Sequence, residues 1–334
     1  MSQSLKIGNK TIGLGEREVV QLDVAKLYDF TEMSIPIEVI RGEKPGPAMF
    51  ISGALHGDEI NGVEIVRRIS QEITFKDISG TLILVPVVNI FGFNSRSRYL
   101  PDRRDLNRSF PGNPKGSLAS RIAHIFMKEV VSQCEFGIDL HTGSMHRSNL
   151  PQIRAYLDDS KTKKLAQKFG APAIVHSELR DGSLREAARK RRVTMLLFEG
   201  GEALRFDESA IKCGMKGCYR VMKEIGIFHK KVPPDKKGFK SLLLQDSFWL
   251  RAPHSGSLRA FKDLGDSVKK GEVLGVLQDL WGREKIEITS PEAGLVIGKT
   301  VLPLMNKGDA VFHIGTASDL SHPTDGLYDL EFFV

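Results

Sequence analysis

Ala48-Met49-Phe50-Ile51-Ser52-Gly53-Ala54-Leu55-His56-Gly57-Asp58-Glu59 is the stretch on which the reading of this chain turns. An apolar run, Met49-Phe50-Ile51, has the look of a buried strand and meets an amphipathic helical pattern from Glu59 to Ser70. Val63, Val66 and Ile69 recur along one face of that helix. His56 and Glu59, three residues apart, fall on one side of the strand-to-helix turn, which is what a divalent zinc ion needs of its first two ligands. A lone His-x-x-Glu is a weak signal. The residues further along the chain give it weight.

Three more short apolar runs read as buried strands: Leu82 to Val88, Phe136 to Leu140, and Thr194 to Phe198. Each ends at a polar group with chemistry in it: Asn89 after the first, His141 after the second, Glu199 after the third. Helical patterns lie between them, at Leu118 to Val131 and Leu184 to Lys190. This alternation predicts an α/β region with a largely parallel or mixed sheet flanked by helices. Open sheets of this kind bind ligands beyond the carboxyl ends of their strands. Potential ligands at three strand ends therefore point to one site assembled from distant sequence.

The pattern changes near residue 230. Lys230-Lys231-Val232-Pro233-Pro234-Asp235-Lys236-Lys237-Gly238 reads as a linker. The division expected is residues 1–235 and residues 240–334, the second all-β. Lys270-Gly271-Glu272-Val273-Leu274-Gly275-Val276 recurs in outline as Lys307-Gly308-Asp309-Ala310-Val311-Phe312-His313-Ile314, and Gly256 recurs as Gly294. Two such hairpin-like units would bury their apolar faces against each other. This half resembles the barrel-sandwich fold of biotinyl and lipoyl carrier domains. The carriers' attachment motif is missing, and Lys285, between the halves, reads as a surface lysine.

Length and composition suit two globular regions: 334 residues, with no apolar run long enough for a transmembrane helix. The first residues, Met1-Ser2-Gln3-Ser4-Leu5-Lys6, lack the apolar core of a signal peptide, so a cytoplasmic protein is expected. Cys134, Cys213 and Cys218 form no Cys-x-x-Cys pair and read as small buried residues. The net charge is +7, with basic residues in short clusters such as Lys161 to Lys164 and Arg189 to Arg192. They are not interleaved with aromatics, and no helix-turn-helix or zinc-finger pattern surrounds them. No nucleic-acid or membrane partner is expected, and a positive field favours an anionic small molecule. A homo-oligomer is left open.

The third ligand candidate is His141, in Ile138-Asp139-Leu140-His141-Thr142-Gly143. With His56 and Glu59 it makes a two-His, one-carboxylate set suited to catalytic zinc. His146 is a rival. Asp139 points to the same face as His141 and could support it or position a substrate. Glu199, in Leu197-Phe198-Glu199-Gly200-Gly201, is the candidate proton shuttle, with Glu202 as its alternative. The segment Arg98-Tyr99-Leu100-Pro101-Asp102-Arg103-Arg104-Asp105-Leu106-Asn107-Arg108 offers arginine forks for a carboxylate, or is simply a basic surface loop.

In chain order, His56-Gly57-Asp58-Glu59, Asp105-Leu106-Asn107-Arg108, Asp139-Leu140-His141-Thr142-Gly143 and Glu199-Gly200-Gly201 resemble the motif set of the succinylglutamate desuccinylase/aspartoacylase family, zinc hydrolases related to the metallocarboxypeptidases. The resemblance implies a carboxypeptidase-like catalytic domain followed by a β domain. It implies Zn2+ held by His56, Glu59 and His141, and Glu199 as general base and acid. It implies Asn107 and Arg108 on the substrate carboxylate and Arg98 on the scissile carbonyl, with Arg96, Arg103 and Arg104 as competitors for that last role. The function implied is hydrolysis of the amide of a small N-acylated amino acid or related carboxylate-bearing amide. A metallocarboxypeptidase acting on short peptides is the alternative. A binding module with a degenerate metal site is the reading from outside enzymes.

Overall fold

The protein's computed structural model describes residues 4–232 and 240–317. The expected linker therefore lies mostly outside the described residues, as does the chain beyond 317. Ten strands come before it: β1 (Ser4–Ile7), β2 (Lys10–Gly13), β3 (Arg17–Lys26), β4 (Glu32–Arg41), β5 (Ala48–Gly53), β6 (Thr81–Val85), β7 (Phe136–Gly143), β8 (Arg147–Ala155), β9 (Ala173–His176) and β10 (Thr194–Glu202). Six α-helices accompany them: α1 (Asn61–Glu72), α2 (Ile90–Ser95), α3 (Leu118–Glu129), α4 (Ser160–Phe169), α5 (Leu184–Lys190) and α6 (Glu208–Glu224).

The predicted strands are present with shifted ends. The second stops at Val85, short of Val88. The other two run further than expected, so His141 and Glu199 lie within β7 and β10 rather than after them. The reason is pairing: Glu199 is opposite His141 on one side and Gln152 on the other, and those ladder bonds keep the backbone extended. The apolar run ends where polar side chains begin, although those residues are still buried in β7, whereas a strand ends where its partners do.

The sheet is mixed. β6, β5, β7 and β10 run parallel in that order, and antiparallel strands β4 and β8 continue it on either side. Both faces are covered. Met49 and Ile51 of β5 pack with Ile65, Val66 and Ile69 of α1 and with residues of α4 and α6. Phe50 faces the other way, among Ile122 and Phe126 of α3, Leu184 of α5 and the apolar residues of β3 and β4. This alternation is the period of two of a strand buried on both sides, and each such side chain contributes about 1.5–3 kcal/mol on burial. The caps agree with the helix starts: Ser117, Asp159, Ser183 and Asp207 each accept a backbone N–H of the first turn of α3, α4, α5 and α6. No helix among the described residues is long and apolar enough to cross a membrane.

After the linker the chain is all strand among the described residues: β11 (Leu242–Leu244), β12 (Asp246–Arg251), β13 (Gly256–Ala260), β14 (Ser267–Val268), β15 (Val273–Gln278), β16 (Lys285–Thr289), β17 (Gly294–Thr300), β18 (Leu304–Met305) and β19 (Ala310–Thr316). The pseudo-repeat is visible. β13 pairs antiparallel with β15, and β17 with β19. Gly271 and Gly308 occupy matching turns at φ of 80° and 91°. Leu274, Leu277, Val296, Val311, Phe312 and Ile314 from the two copies share one apolar cluster. Lys285 is exposed at the start of β16.

The β region also extends the first sheet. β17 pairs antiparallel with β8 (Gly298 opposite Asn149), and β11 pairs parallel with β9. The order β12-β19-β17-β8-β10-β7-β5-β6-β4-β3 is a continuous hydrogen-bonded path, so the β region reaches the edge of the site through backbone ladders.

Candidate active site

β5 leads into a tight turn that begins at Ala54, a buried non-glycine residue at φ 44°. The turn is held from behind: Val88 and Asn89 donate their N–H groups to the Gly53 and Ala54 carbonyls at 3.1 and 2.9 Å. A Cβ on Gly57 would lie 1.9 Å from the Gly92 carbonyl carbon, so only glycine lets this turn press against α2. Asn61, at the start of α1, donates to the Gly200 carbonyl and accepts from Asp207 N, both at 3.0 Å, and so fixes α1 against the end of β10. His56 and Glu59 emerge from this pinned turn, both buried.

Glu59 is the centre of the constellation. Its Oε1 is 2.8 Å from His56 Nδ1, and its Oε2 is 2.7 Å from His141 Nδ1. Each imidazole has its other nitrogen on a further carboxylate: His56 Nε2 lies 3.2 Å from Asp105 Oδ1, and His141 Nε2 lies 2.7 Å from Asp139 Oδ2. Asp139 in turn accepts from Ser52 Oγ at 2.8 Å. Arg98 bridges the set, with Nη1 3.1 Å from Glu59 Oε1 and Nη2 3.0 Å from Asp105 Oδ2.

The electrostatics follow from this packing. Burial alone would push both imidazoles toward neutrality, but facing carboxylates raise them: Glu59 and Asp105 for His56, Asp139 and Glu59 for His141. Burial would likewise raise Glu59, yet His56 and His141 hold it well below the usual carboxylate range. Each Nδ1 thus faces a Glu59 oxygen across the space in which a cation would bind.

The donor set fits a metal ion. One ligand atom each of His56, Glu59 and His141 lies within 4.8 Å of the others, and all three residues are buried. Both imidazoles turn Nδ1 inward while a carboxylate orients Nε2, the arrangement that fixes metal-binding histidines. Two nitrogens and one carboxylate oxygen suit zinc with a position left for water. His146 is exposed in the β7–β8 turn and belongs to no such group.

A cavity of about 280 Å3 opens beside this group. His56, Glu59, Arg98, Asn107, Arg108, His141 and Glu199, the seven residues singled out in the sequence, all line it. Arg96, Arg103 and Arg104 are exposed and do not line it, and neither does Glu202. Asn107 accepts from Leu184 N at 2.9 Å through Oδ1, which leaves its NH2 for a ligand. Arg108 donates to the Asn107 carbonyl at 2.6 Å through Nη1.

Glu199 faces the cavity from β10. Its Oε2 accepts from Asn149 Nδ2 at 2.5 Å. Its Oε1 lies 3.2 Å from Arg154 Nε, but that buried N–H is not aimed along a hydrogen bond. Sequence reasoning missed Asn149, Arg154, Arg185 and Trp249, all of which line the cavity. Arg185 is 9% exposed and donates to Ser177 O, Ser177 Oγ and Glu178 O. Burial, with Arg154 nearby, lowers it to about 10, so it stays charged at neutral pH. The missed signal was weak: Arg185 sits inside the helical pattern Leu184 to Lys190, where an arginine reads as surface.

A family model for the succinylglutamate desuccinylase/aspartoacylase catalytic domain matches residues 45–225. The chain belongs to this family. It is 29% identical over 290 residues, 83% of this chain and 84% of the relative, to N-alpha-acetyl-L-2,4-diaminobutyric acid deacetylase of Halomonas elongata. The product-bound ectoine utilization protein EutE (DoeB) from Ruegeria pomeroyi is similar at 27% identity and a TM-score of 0.81, over 90% of this chain and 95% of that one. A succinylglutamate desuccinylase/aspartoacylase from Rhodobacter sphaeroides, at 22% identity and a TM-score of 0.81, shares the fold over 94% of this chain and 99% of that one.

Proposed function

We propose that this protein is a zinc-dependent deacylase that hydrolyses the amide of a small N-acylated amino acid, within a catalytic region of residues 1–235 walled on one side by a β region of residues 240–334. The observation that carries it is the inward turn of His56 Nδ1, Glu59 and His141 Nδ1 beside a cavity that also holds Glu199. His56, Glu59 and His141 would hold the ion. When bound, zinc polarises the scissile carbonyl and makes water more acidic.

The remaining work belongs to side chains. Glu199 takes a proton from the attacking water and later delivers it to the departing amine. Arg98, beside the ligand set, faces the carbonyl oxygen as negative charge develops there. Asn107 and Arg108 hold the substrate's free carboxylate. Arg185 adds a buried cation to the cavity lining.

The charge of the cavity supports an anionic substrate. Arg98, Arg108, Arg147, Arg154, Arg180 and Arg185 line it, against the carboxylates of Glu59 and Glu199. The relative from Halomonas elongata is named for a substrate with a side-chain amine. Such an ammonium would meet mostly arginines here, so an N-acyl acidic amino acid is the better fit.

The alternative is a carboxypeptidase acting on short peptides, for which the same chemistry would serve. The cavity volume sits near the lower end of the roughly 300–1,000 Å3 of ligand pockets, and Trp249 of the β region closes one wall. Both favour a small amide. The test is hydrolysis by zinc-loaded protein of N-acetyl-L-aspartate, N-succinyl-L-glutamate, N-acetyl-L-2,4-diaminobutyrate and a tripeptide. Cleavage of the acidic N-acyl amino acids is expected to lead. A preference for the tripeptide would select the peptidase, and no cleavage of any of them would remove the hydrolase.

A further inference from the structure

The surroundings of Glu199 include residues from the far end of the sequence. Arg154 Nη2 lies 3.4 Å from Nδ1 of His313, a buried residue of β19. The His313 ring stacks on Trp249 of β12 with centroids 4.6 Å apart and planes 12° apart. In the ladders, Trp249 is opposite His313, Gly298 of β17 is opposite both His313 and Asn149, and Asn149 is opposite Gly201 of β10. This row carries the β region across the sheet to the strand of Glu199.

Gly298 marks how closely the row is packed. A Cβ there would lie 2.8 Å from Asn149 Oδ1 and 3.1 Å from His313 Cβ. Any side chain would press on the carboxamide that donates to Glu199.

We propose that His313 is a positioning residue for proton transfer: by accepting from Arg154, it keeps that guanidinium from closing as a two-pronged clamp on Glu199. An arginine beside a carboxylate settles most strongly into two parallel hydrogen bonds. A carboxylate clamped in that way has both oxygens occupied by donors, which hinders it from taking a proton from water. In the structure one prong is drawn to His313 instead, and Nε stands beside Oε1 without an aligned bond. Oε2 is held by Asn149, and Oε1 takes no aligned hydrogen bond from Arg154 while Glu199 lines the cavity. The β region thereby sets the geometry of the catalytic carboxylate as well as walling the cavity. This deepens the deacylase reading and rests on Glu199 as its proton shuttle.

His313→Phe keeps a flat ring against Trp249 and removes the acceptor, while His313→Asn returns an acceptor oxygen. The assay uses whichever of N-acetyl-L-aspartate, N-succinyl-L-glutamate and N-acetyl-L-2,4-diaminobutyrate the native enzyme cleaves fastest, with Glu199→Gln in parallel. His313→Phe is expected to lower kcat about 10- to 100-fold with KM changed less than about twofold, and His313→Asn to recover most of the loss. Zinc content should equal that of the native protein. Native kcat in His313→Phe beside an inactive Glu199→Gln would overturn the positioning role alone. An active Glu199→Gln would instead remove the proton-shuttle reading beneath it. A rise in KM at unchanged kcat would place Arg154 on the substrate and also overturn the proposal. Should His313→Phe not fold, His313→Leu is the second probe and is read in the same way, and adding Arg154→Met to it should restore kcat because no guanidinium is left to clamp Glu199; a loss that persists in the double variant overturns the proposal.

Discussion

His141 Nε2 lies 2.7 Å from Asp139 Oδ2, two residues back along the same strand, and this contact turns Nδ1 toward Glu59. Asp105 does the same for His56 from a loop nearly fifty residues away. Each imidazole of the candidate metal group is thus aimed by a carboxylate on its other nitrogen. Ser52 on the neighbouring strand aims Asp139 in turn.

Removing that support should loosen the metal without removing a ligand. Asp139→Asn is expected to weaken zinc affinity about 10-fold or more, in line with the cost of losing such partners. Competition with a fluorescent chelator reads this directly. Native affinity in the variant would show that Asp139 does not orient His141.

Glu199→Gln keeps the size of the side chain and removes its proton chemistry. The variant should retain zinc and lose about 100- to 10,000-fold in kcat, the usual range for a general acid or base. Full turnover would take Glu199 out of the mechanism.

Arg185 and Arg108 should differ in how much they matter. Arg185 is buried against the Ser177–Glu178 backbone, whereas Arg108 is exposed along its side. A desolvated charged hydrogen bond is worth about 1.5–3 kcal/mol, so Arg185→Met should raise KM for an acidic N-acyl amino acid roughly 10- to 100-fold. Arg108→Ala should raise it less. The opposite ranking in steady-state assays would make Arg108 the stronger anchor of the anion.

His313 makes stability depend on pH. Burial, with Arg154 beside it, holds its pKa at about 3, against an ordinary value of 6.5. Between those values the unfolded chain binds a proton that the folded chain refuses, so this contribution to stability is complete above pH 6.5 and falls as pH drops toward 3. At pH 5 the loss from this group is about 2 kcal/mol. Urea unfolding at pH 7.5 and 5 should show the native protein losing about 2 kcal/mol more than His313→Phe. Equal losses would mean that the ring is open to water.

Some of the site was legible because local spacing determines direction. A step of three residues from His56 to Glu59 across a turn, and of two from Asp139 to His141 on a strand, places each pair on one side whatever the rest of the chain does. The arginines were not legible in this way. Arg96, Arg98, Arg103 and Arg104 share one loop, and a left-handed turn at Arg96 (φ 54°) helps set which of them meets Glu59. Asn149 and Arg154 were hidden for another reason. They are five residues apart, so strict alternation would face them oppositely. Here β8 advances three residues, Gln152 to Asn149, while β10 advances two, Glu199 to Gly201, and both side chains reach Glu199.

What the sequence by itself determined was the α/β class, the change to strands after residue 230, and the seven residues that line one cavity. The class, the change to strands and the direction shared by His56 and Glu59 follow from periodicity or from short-range spacing, which the chain carries locally, whereas Arg98, Asn107 and Arg108 were picked out by the resemblance of ordered motifs. Tertiary structure alone decided that Asp105 serves His56, that Arg98 and no neighbouring arginine meets Glu59, and that β17 joins β8 and brings Trp249 and His313 to the strands beside Glu199. Those contacts depend on which strands pair and in what register. Pairing is chosen by the summed packing of the whole molecule, and no single stretch of residues encodes it.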